Sequence, residues 1–468
     1  MDQAKTAAAR QHLIAALGSH HPMASRRPNP AAYALLAGVA LLLLGPAGVA
    51  GTITANSAPG RPASDVWVGA WEFPPISFPG AATDHARAAT GGPIPDDFDD
   101  LTVRQIVRLA AAALRVRVRL SNEFGEWPMQ IGTVHLALAG NDGAIIPGSD
   151  HVLTFSGRRS IAIPAGAPLV SDPIDWRLPA LSRLAVSIYL PARMPPPAHR
   201  ASEYVSSSGD FSDATVMPGG RLLRTGALVS EVDVVSPNAR HVIVTLGDSI
   251  TEGFGSTVNE FRGWSDRLAE RLSEDRAMRT WTVVNAGINS NRLLHNDPGM
   301  AALARFDRDV LAVPGAAMVI LYEGINDIGY SHTVPAEAVS VDDIISAYRQ
   351  LIARAHGHGI AIVGCTLTPF QDSHYYVPEG EQTRLAVNRW IRNAGEFDAV
   401  IDFDAAMRDP ANPVQVNPAL QRGDHLHPND AGYAVMGRAI DLRLIEEAAQ
   451  RGARPEPNPV QMNNLYSK

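Results

Sequence analysis

Ser249 in the run Gly247-Asp248-Ser249-Ile250, and Asp424 and His427 in the distant run Asp424-His425-Leu426-His427, are the residue types that acyl transfer needs. A serine hydroxyl is a weak nucleophile until a histidine takes its proton, and that histidine needs a carboxylate to fix its tautomer. Asp424 and His427, three positions apart, can meet if the segment between them turns. Two more loops could serve the same reaction. Gly287, in Asn285-Ala286-Gly287-Ile288-Asn289, could bring a backbone N–H to a substrate without side-chain obstruction. Asn326, in Gly324-Ile325-Asn326-Asp327, could donate its amide to the oxyanion that the Ser249 and Gly287 N–H groups address.

Each segment also has a plainer reading. Ser249 or Asp248 could be a helix cap, Gly287 a turn glycine, Asn326-Asp327 an ordinary turn, and 424–427 a solvated loop. Zinc binding by His425 and His427 fits the usual ligand spacing poorly. The case for chemistry is that all four segments fall where a parallel sheet would gather them.

From His241 onward, strands alternate with helices. His241–Leu246, Trp281–Ala286, Ala317–Tyr322, Ile360–Thr366 and Ala399–Phe403 read as apolar strands. Trp264, Leu268 and Leu272 mark one helical face over 262–273, and Leu303, Phe306 and Val310 another. Ser340 with Asp343 forms a capping-box start for a helix carrying Ile344, Tyr348, Leu351 and Ala355. Gln382–Ala394 reads as a helix, and Pro428 opens a last helix running to about Ala449. This alternation predicts a parallel sheet covered on both faces, with ligands at the C-terminal ends of its strands. Ser249, Gly287 and Asn326 each follow such a strand.

Residues 65–236 have a different period. Leu114–Leu120 alternates apolar and charged residues, as a half-buried antiparallel strand does. Ile131–Leu138, Ser160–Ile163 and Leu184–Leu190 are further apolar segments, separated by turns such as Asn141-Asp142-Gly143. Short strands at this spacing predict an all-β sandwich or jelly roll. Gln105–Ala113 has a helical look beside a strand, and its state is left open. Pro191–Pro197 is too proline-rich for regular structure.

The 468 residues are 46% hydrophobic and 19% charged, enough to bury more than one core. A net charge of −8 argues against nucleic acid as a partner. The single cysteine, Cys365, excludes an intrachain disulfide and a cysteine zinc cluster, and its apolar neighbours make it a buried thiol. At the N-terminus, Arg26-Arg27 precedes an uncharged run from Ala31 to Ala50 that ends in Gly45-Pro46 and small residues. That is the order of a secretory signal over residues 1–50, compact if translation begins at Met23. An uncleaved membrane anchor is the rival, since the run is near the roughly 20 residues a spanning helix needs. Gly and Pro weaken the run's end and favour cleavage, which leaves a secreted or cell-envelope chain without stable membrane insertion. Residues 51–64 read as a linker, 237–450 as the catalytic domain and 451–468 as a mobile tail.

At Ser249, Gly287, Asn326 and Asp424/His427 the chain resembles the GDSL or SGNH hydrolase superfamily, whose blocks carry a Ser in G-D-S, a Gly, an Asn in G-x-N-D and a D-x-x-H pair. The resemblance covers about His241 to Glu447, and Ile250 replaces the leucine of the name-giving motif conservatively. Asn291–Leu294, Ala304–Asp307 and Thr366–Phe370 look like a secreted bacterial subgroup with an N-terminal β-rich domain. Val66–Trp71, Leu101–Val107 and Val170–Pro173 look like motifs of that domain. The resemblance implies a three-layer α/β/α flavodoxin-like fold and hydrolysis of carboxylic esters with no metal or cofactor. It implies Ser249 as nucleophile, His427 as base and then acid, Asp424 as orienting carboxylate, and Ser249, Gly287 and Asn326 as the oxyanion hole. The expected substrate is a small ester or an acylated carbohydrate, with possible polysaccharide contact through the β domain. Acyl size depends on loops such as 371–382, where His374, Tyr375 and Tyr376 are either pocket lining or surface decoration. Two other readings stay open. One is an inactive hydrolase fold that binds glycan through the β domain. The other is a phosphate loop at Gly247–Gly255, which lacks both G-x-G-x-x-G and G-K-[ST].

Overall fold

Thirteen strands precede the parallel sheet in the computed structural model, which describes residues 65–76, 98–195 and 200–452. The expected export signal and linker, and the tail beyond Gly452, lie outside the described residues. The strands are β1 (Trp67–Glu72), β2 (Leu101–Arg108), β3 (Ala113–Asn122), β4 (Met129–Ile131), β5 (Val134–Leu138), β6 (His151–Leu153), β7 (Ile161–Ile163), β8 (Ala167–Val170), β9 (Ile174–Leu178), β10 (Arg183–Leu190), β11 (Arg200–Ser208), β12 (Arg221–Gly226) and β13 (Val229–Val235). They form one antiparallel sheet in the order β1-β13-β3-β8, with β9 also on β3, and a second in the order β12-β11-β2-β10-β5-β6. β4 and β7 make a separate ribbon.

The alternation read in 114–120 is realised. Val116, Val118 and Leu120 of β3 are buried, while Arg115, Arg117 and Arg119 are partly exposed. Val103 and Val107 of β2, in the other sheet, join the same core. The apolar run 131–138 is two strands rather than one. Gly132 and Thr133 separate them, and Gly132 packs so closely that a side chain there would lie 2.4 Å from the Tyr189 ring. Residues 101–108, whose later part has a helical look, are strand β2, paired along its whole length with β10. Two-sided pairing in a sheet outweighs the local propensity of Gln, Arg and Leu.

From His241 the sheet is parallel: β14 (His241–Gly247), β15 (Trp281–Gly287), β16 (Ala316–Tyr322), β17 (Ala361–Cys365) and β18 (Ala399–Ile401) lie in the order β15-β14-β16-β17-β18. Numbered within this sheet, the order is 2-1-3-4-5, the flavodoxin-like arrangement, whose switch point lies beside β14. The helices are α1 (Ser249–Glu252), α2 (Trp264–Glu274), α3 (Ala302–Phe306), α4 (Ile325–Thr333), α5 (Val341–Gly357), α6 (Pro378–Asn393), α7 (Phe403–Met407), α8 (Asp430–Ala439) and α9 (Leu442–Gly452). α2 packs with α8 and α8 with α7, while α5 packs with α3 and α6, giving the α/β/α layering. The capping box at Ser340 and Asp343 is present, with N···O distances of 3.2 and 2.9 Å. The single last helix expected over 428–449 is two helices, interrupted at Ile440–Asp441, and its cap is Asn429.

The β-rich region does not hang free of the α/β region. Gly69 N–H donates to Pro314 O at 2.9 Å, and Arg108 of β2 reaches Asp266 and Glu270 of α2. Their apolar cores merge into one cluster. No described helix is long and apolar enough to cross a membrane.

Candidate active site

The site is assembled at the C-terminal rim of β14, β15 and β16. β14 ends at Gly247, and the chain turns at once into α1. A side chain at Gly247 would lie 2.2 Å from Thr251 Oγ1 and 2.3 Å from Tyr322 O, so only glycine permits this turn. Asp248 is the helix cap, its Oδ1 accepting from Ile250 N at 2.8 Å. That decides between the two capping candidates. Ser249 is the first helical residue, its hydroxyl is not spent on a cap, and no described group takes its N–H.

Ser249 Oγ lies 2.9 Å from His427 Nε2, and His427 Nδ1 lies 2.8 Å from Asp424 Oδ2. The other carboxylate oxygen, Asp424 Oδ1, accepts the backbone N–H groups of His427 at 2.9 Å and Leu426 at 3.1 Å. The three-residue spacing thus closes as a turn in which one carboxylate holds both the backbone and the ring of the histidine. Arg422 N donates to His427 O, and Asn429 caps α8 immediately after. Burial alone would raise the Asp424 carboxyl, but the hydrogen bonds from His427 and Leu426 outweigh it and hold the group well below the usual carboxylate range. Phe254 stands edge-on to the His427 ring, centroids 4.7 Å apart, and Tyr433 of α8 donates to Phe254 O at 2.6 Å.

The expected role of Gly287 needs correction. Its N–H is taken by Asn285 Oδ1 at 2.9 Å, and a side chain on it would lie 2.2 Å from Glu252 N. Gly287 is therefore a close-packing glycine beneath α1 rather than an open donor. In the loop that follows, Ile288 N, Asn289 N and Asn291 N are also engaged, by Gly247 O, Glu252 Oε2 and Ile288 O. Ser290 N has no partner among the described residues, and Ser290 holds a left-handed backbone, φ 60°. Its place in Asn289-Ser290-Asn291 marks a turn in the sequence, but nothing in the residue types says which N–H stays free.

Asn326 opens α4 after β16 and is buried. One hydrogen of its amide goes to Asn291 O at 2.9 Å, which leaves the other available and fixes the amide against the Ser290 loop. Asp327 anchors the same loop by accepting from Leu293 N and Leu294 N at 2.8 and 3.1 Å.

Under these loops lies a buried cation, in the family-like stretch 304–307, whose role the sequence alone does not reveal. Arg305, fully buried on α3, donates to Asn291 Oδ1 (2.9 Å), Ala286 O (2.7 Å), Gly247 O (3.0 Å) and Asp309 Oδ2 (3.1 Å). It ties the turn before Ser249 to the loop after β15. Around it are Asp248, Glu323 and Asp327, all buried. Burial pushes Asp248 up to about 7 and Asp327 to about 6, and raises Glu323 further, with neighbouring carboxylates adding to the effect on Asp248 and Glu323. In the loop after β17, His374 is lowered by burial and by His427, and its ring lies 3.9 Å from that of Tyr375. Among the described residues no group of His, Cys, Asp and Glu could hold a metal ion.

A serine, imidazole and carboxylate in hydrogen-bonded series at the rim of a parallel sheet is the geometry of acyl transfer. Residues 245–435 match the GDSL-like lipase/acylhydrolase family. The chain carries a hydrolase domain of that family. It is a serine hydrolase acting on ester bonds. Similar solved structures include a variant of an acetyl xylan esterase from Geobacillus stearothermophilus, at 24% identity over 44% of this chain and 95% of that one, with a TM-score of 0.35. An α/β hydrolase from the metagenome of Lake Arreo, Spain, is 20% identical over 47% of this chain and 98% of its own, also at a TM-score of 0.35. No curated protein matches the chain in sequence.

Proposed function

We propose that this GDSL hydrolase is an exported esterase that works through an acyl-enzyme on Ser249. The observation that carries the reading is the unbroken series Ser249 Oγ, His427 Nε2, His427 Nδ1 and Asp424 Oδ2, with both links under 3 Å. His427 takes the Ser249 proton as Oγ attacks the ester carbonyl. Asp424, kept ionised, holds the Nδ1–H tautomer and stabilises the imidazolium that forms. The carbonyl oxygen gains negative charge and is met by Ser249 N–H, Ser290 N–H and the free hydrogen of Asn326 Nδ2. His427 then gives its proton to the departing alcohol. Water, deprotonated by the same imidazole, attacks the acyl carbonyl and releases the acid.

Export rests on the signal-like order of residues 1–50. The substrate class is an acylated carbohydrate or another small ester. Steady-state hydrolysis of p-nitrophenyl acetate by Ser249→Ala and Asp424→Asn tests the mechanism. The expected loss of kcat is on the order of 10³-fold or more for each. Wild-type turnover in Ser249→Ala would rule it out.

A further inference from the structure

The turn that carries Asp424 and His427 also carries an arginine with a defined place. Arg422 N donates to His427 O at 3.0 Å, which ties the two residues across the turn. The Arg422 side chain then folds back over the pair. Its Nε lies 3.9 Å from Asp424 Oδ2, the oxygen paired with His427 Nδ1. The guanidinium carbon lies 4.7 Å from the centre of the Phe254 ring, and Phe254 stands edge-on to His427, centroids again 4.7 Å apart. The stem runs over Gly255, where a side chain would lie 2.9 Å from Arg422 Cδ and where φ is 92°. Stacking on Phe254 and the close pass over Gly255 hold this cation in one place.

That place matters when His427 takes the Ser249 proton. The imidazolium that forms is stabilised by Asp424 and opposed by the like charge of Arg422. Each step through Phe254 is 4.7 Å, so guanidinium and imidazole are no farther apart than twice that. At this range, across a partly solvated rim, one unit charge moves a titration by about 0.3–0.7 pH units. Arg422 and Asp424 are both partly exposed, so salt weakens the effect.

The elements around the pair bring further groups. His374, in the loop after β17, senses both His427 and Asp424. On α8, Tyr433 senses Asp424 and donates its hydroxyl to Phe254 O, while Asp430 is taken by Thr257 and by Arg262 at 3.5 Å. On α1, Glu252 accepts from Asn289 N, and Asp248 caps the helix. Arg422 is the positive group that touches the catalytic carboxylate itself. We infer that Arg422 is a positioning residue for ester hydrolysis, which acts on His427 through Asp424 and Phe254 and keeps that base unprotonated, and so active, at lower pH. The inference rests on the acyl-enzyme reading above and adds a residue outside the Ser249, His427 and Asp424 series.

The test uses Arg422→Met, which keeps an apolar stem on Phe254 without the charge, and Arg422→Lys, which keeps the charge. Steady-state kcat/KM on p-nitrophenyl acetate is measured from about pH 5 to 9, at low salt and at about 1 M salt. At low salt the acidic limb of Arg422→Met should lie about 0.3–0.7 units above that of the parent, and Arg422→Lys should stay with the parent. The gap between parent and Arg422→Met should close at about 1 M salt, where the screening length is about 3 Å. An NMR titration of the His427 ring nitrogens, assigned by their loss in His427→Ala, reads the same shift without turnover and separates it from His374. A limb and a His427 titration that stay in place in Arg422→Met, or that move as far in Arg422→Lys, overturn the inference. Should Ser249→Ala keep its turnover, the acyl-enzyme reading fails while the His427 titration still decides Arg422.

Discussion

Replacing Arg305 by methionine should cost both stability and catalysis, and by amounts the structure sets. The guanidinium is fully buried and donates to four acceptors on three segments: Gly247 O, Ala286 O, Asn291 Oδ1 and Asp309 Oδ2. Met fills a similar volume but donates nothing. Gly247 O keeps Ile288 N, and Asp309 keeps Arg308, but Asn291 Oδ1 and the Asp309 charge lose their buried partner. Because Asp309 keeps Arg308, the cost falls below the roughly 3–5 kcal/mol of a fully broken buried ion pair and near the roughly 1–3 kcal/mol of an unpaired buried acceptor, against a total stability of about 5–15 kcal/mol for a typical domain. The catalytic effect follows from Asn291, whose carbonyl holds the Asn326 amide. With that loop released, kcat should fall about 10²-fold while KM changes little, as expected for donors displaced by a fraction of an ångström. Arg305→Lys should recover less than half of either loss, since a point ammonium cannot span acceptors set for a planar fork. Urea unfolding and steady-state kinetics on p-nitrophenyl acetate measure both effects. A folded Arg305→Met chain with wild-type kcat, or a stability loss below about 1 kcal/mol, would refute the view that this cation positions the catalytic loops.

Other outcomes follow from the same geometry. Asn326→Ala should lower kcat about 10²–10³-fold with a small change in KM, measured by the same kinetics, because it removes a donor aimed at developing charge. Ser290→Gly should keep full activity and gain up to about 1 kcal/mol in urea unfolding, since the backbone N–H survives and the left-handed φ suits glycine. Gly287→Ala should unfold at lower urea or lose most of its kcat, because the new methyl meets Glu252 N of α1. Asp248, raised from 3.8 to about 7 in the fold, binds its proton more tightly folded than unfolded. Its contribution to stability is therefore full below pH 4 and is lost as pH rises from about 4 to about 7. Asp248→Asn keeps an oxygen for Ile250 N, so its stability relative to the parent should grow across that range, by at most about 4 kcal/mol, as read by urea unfolding at pH 4.5 and 8.

Much of this was legible because burial writes periodicity into the chain. The five parallel strands are two-sided and apolar, so 241–246, 281–286 and 317–322 were readable nearly to the residue. The alternation in 114–120 gave β3 for the same reason, and Ser340 with Asp343 marked a helix start by its own chemistry. Ser249, Asp424 and His427 stand out by type and order, and the structure brings them into one hydrogen-bonded series, while Asn326 is bonded to Asn291 O. What stayed hidden depends on distant partners. Strand β2 resembles a helix until β10 and β11 flank it. Gly287 looks like an open donor until Asn285 and α1 take its two sides. Arg305 falls in the family-like stretch 304–307, but its role stayed hidden, since its four acceptors come from segments up to 58 positions away.

The central claim is that Ser249 becomes acylated with His427 as its base. Mass spectrometry of the chain after treatment with diisopropyl fluorophosphate tests this directly. One phosphoryl adduct should appear on the peptide carrying Ser249, with matching loss of esterase activity, and labelling should be slowed at least about 10³-fold in His427→Ala. Full inactivation with the adduct on another residue, or wild-type labelling without His427, would contradict the account.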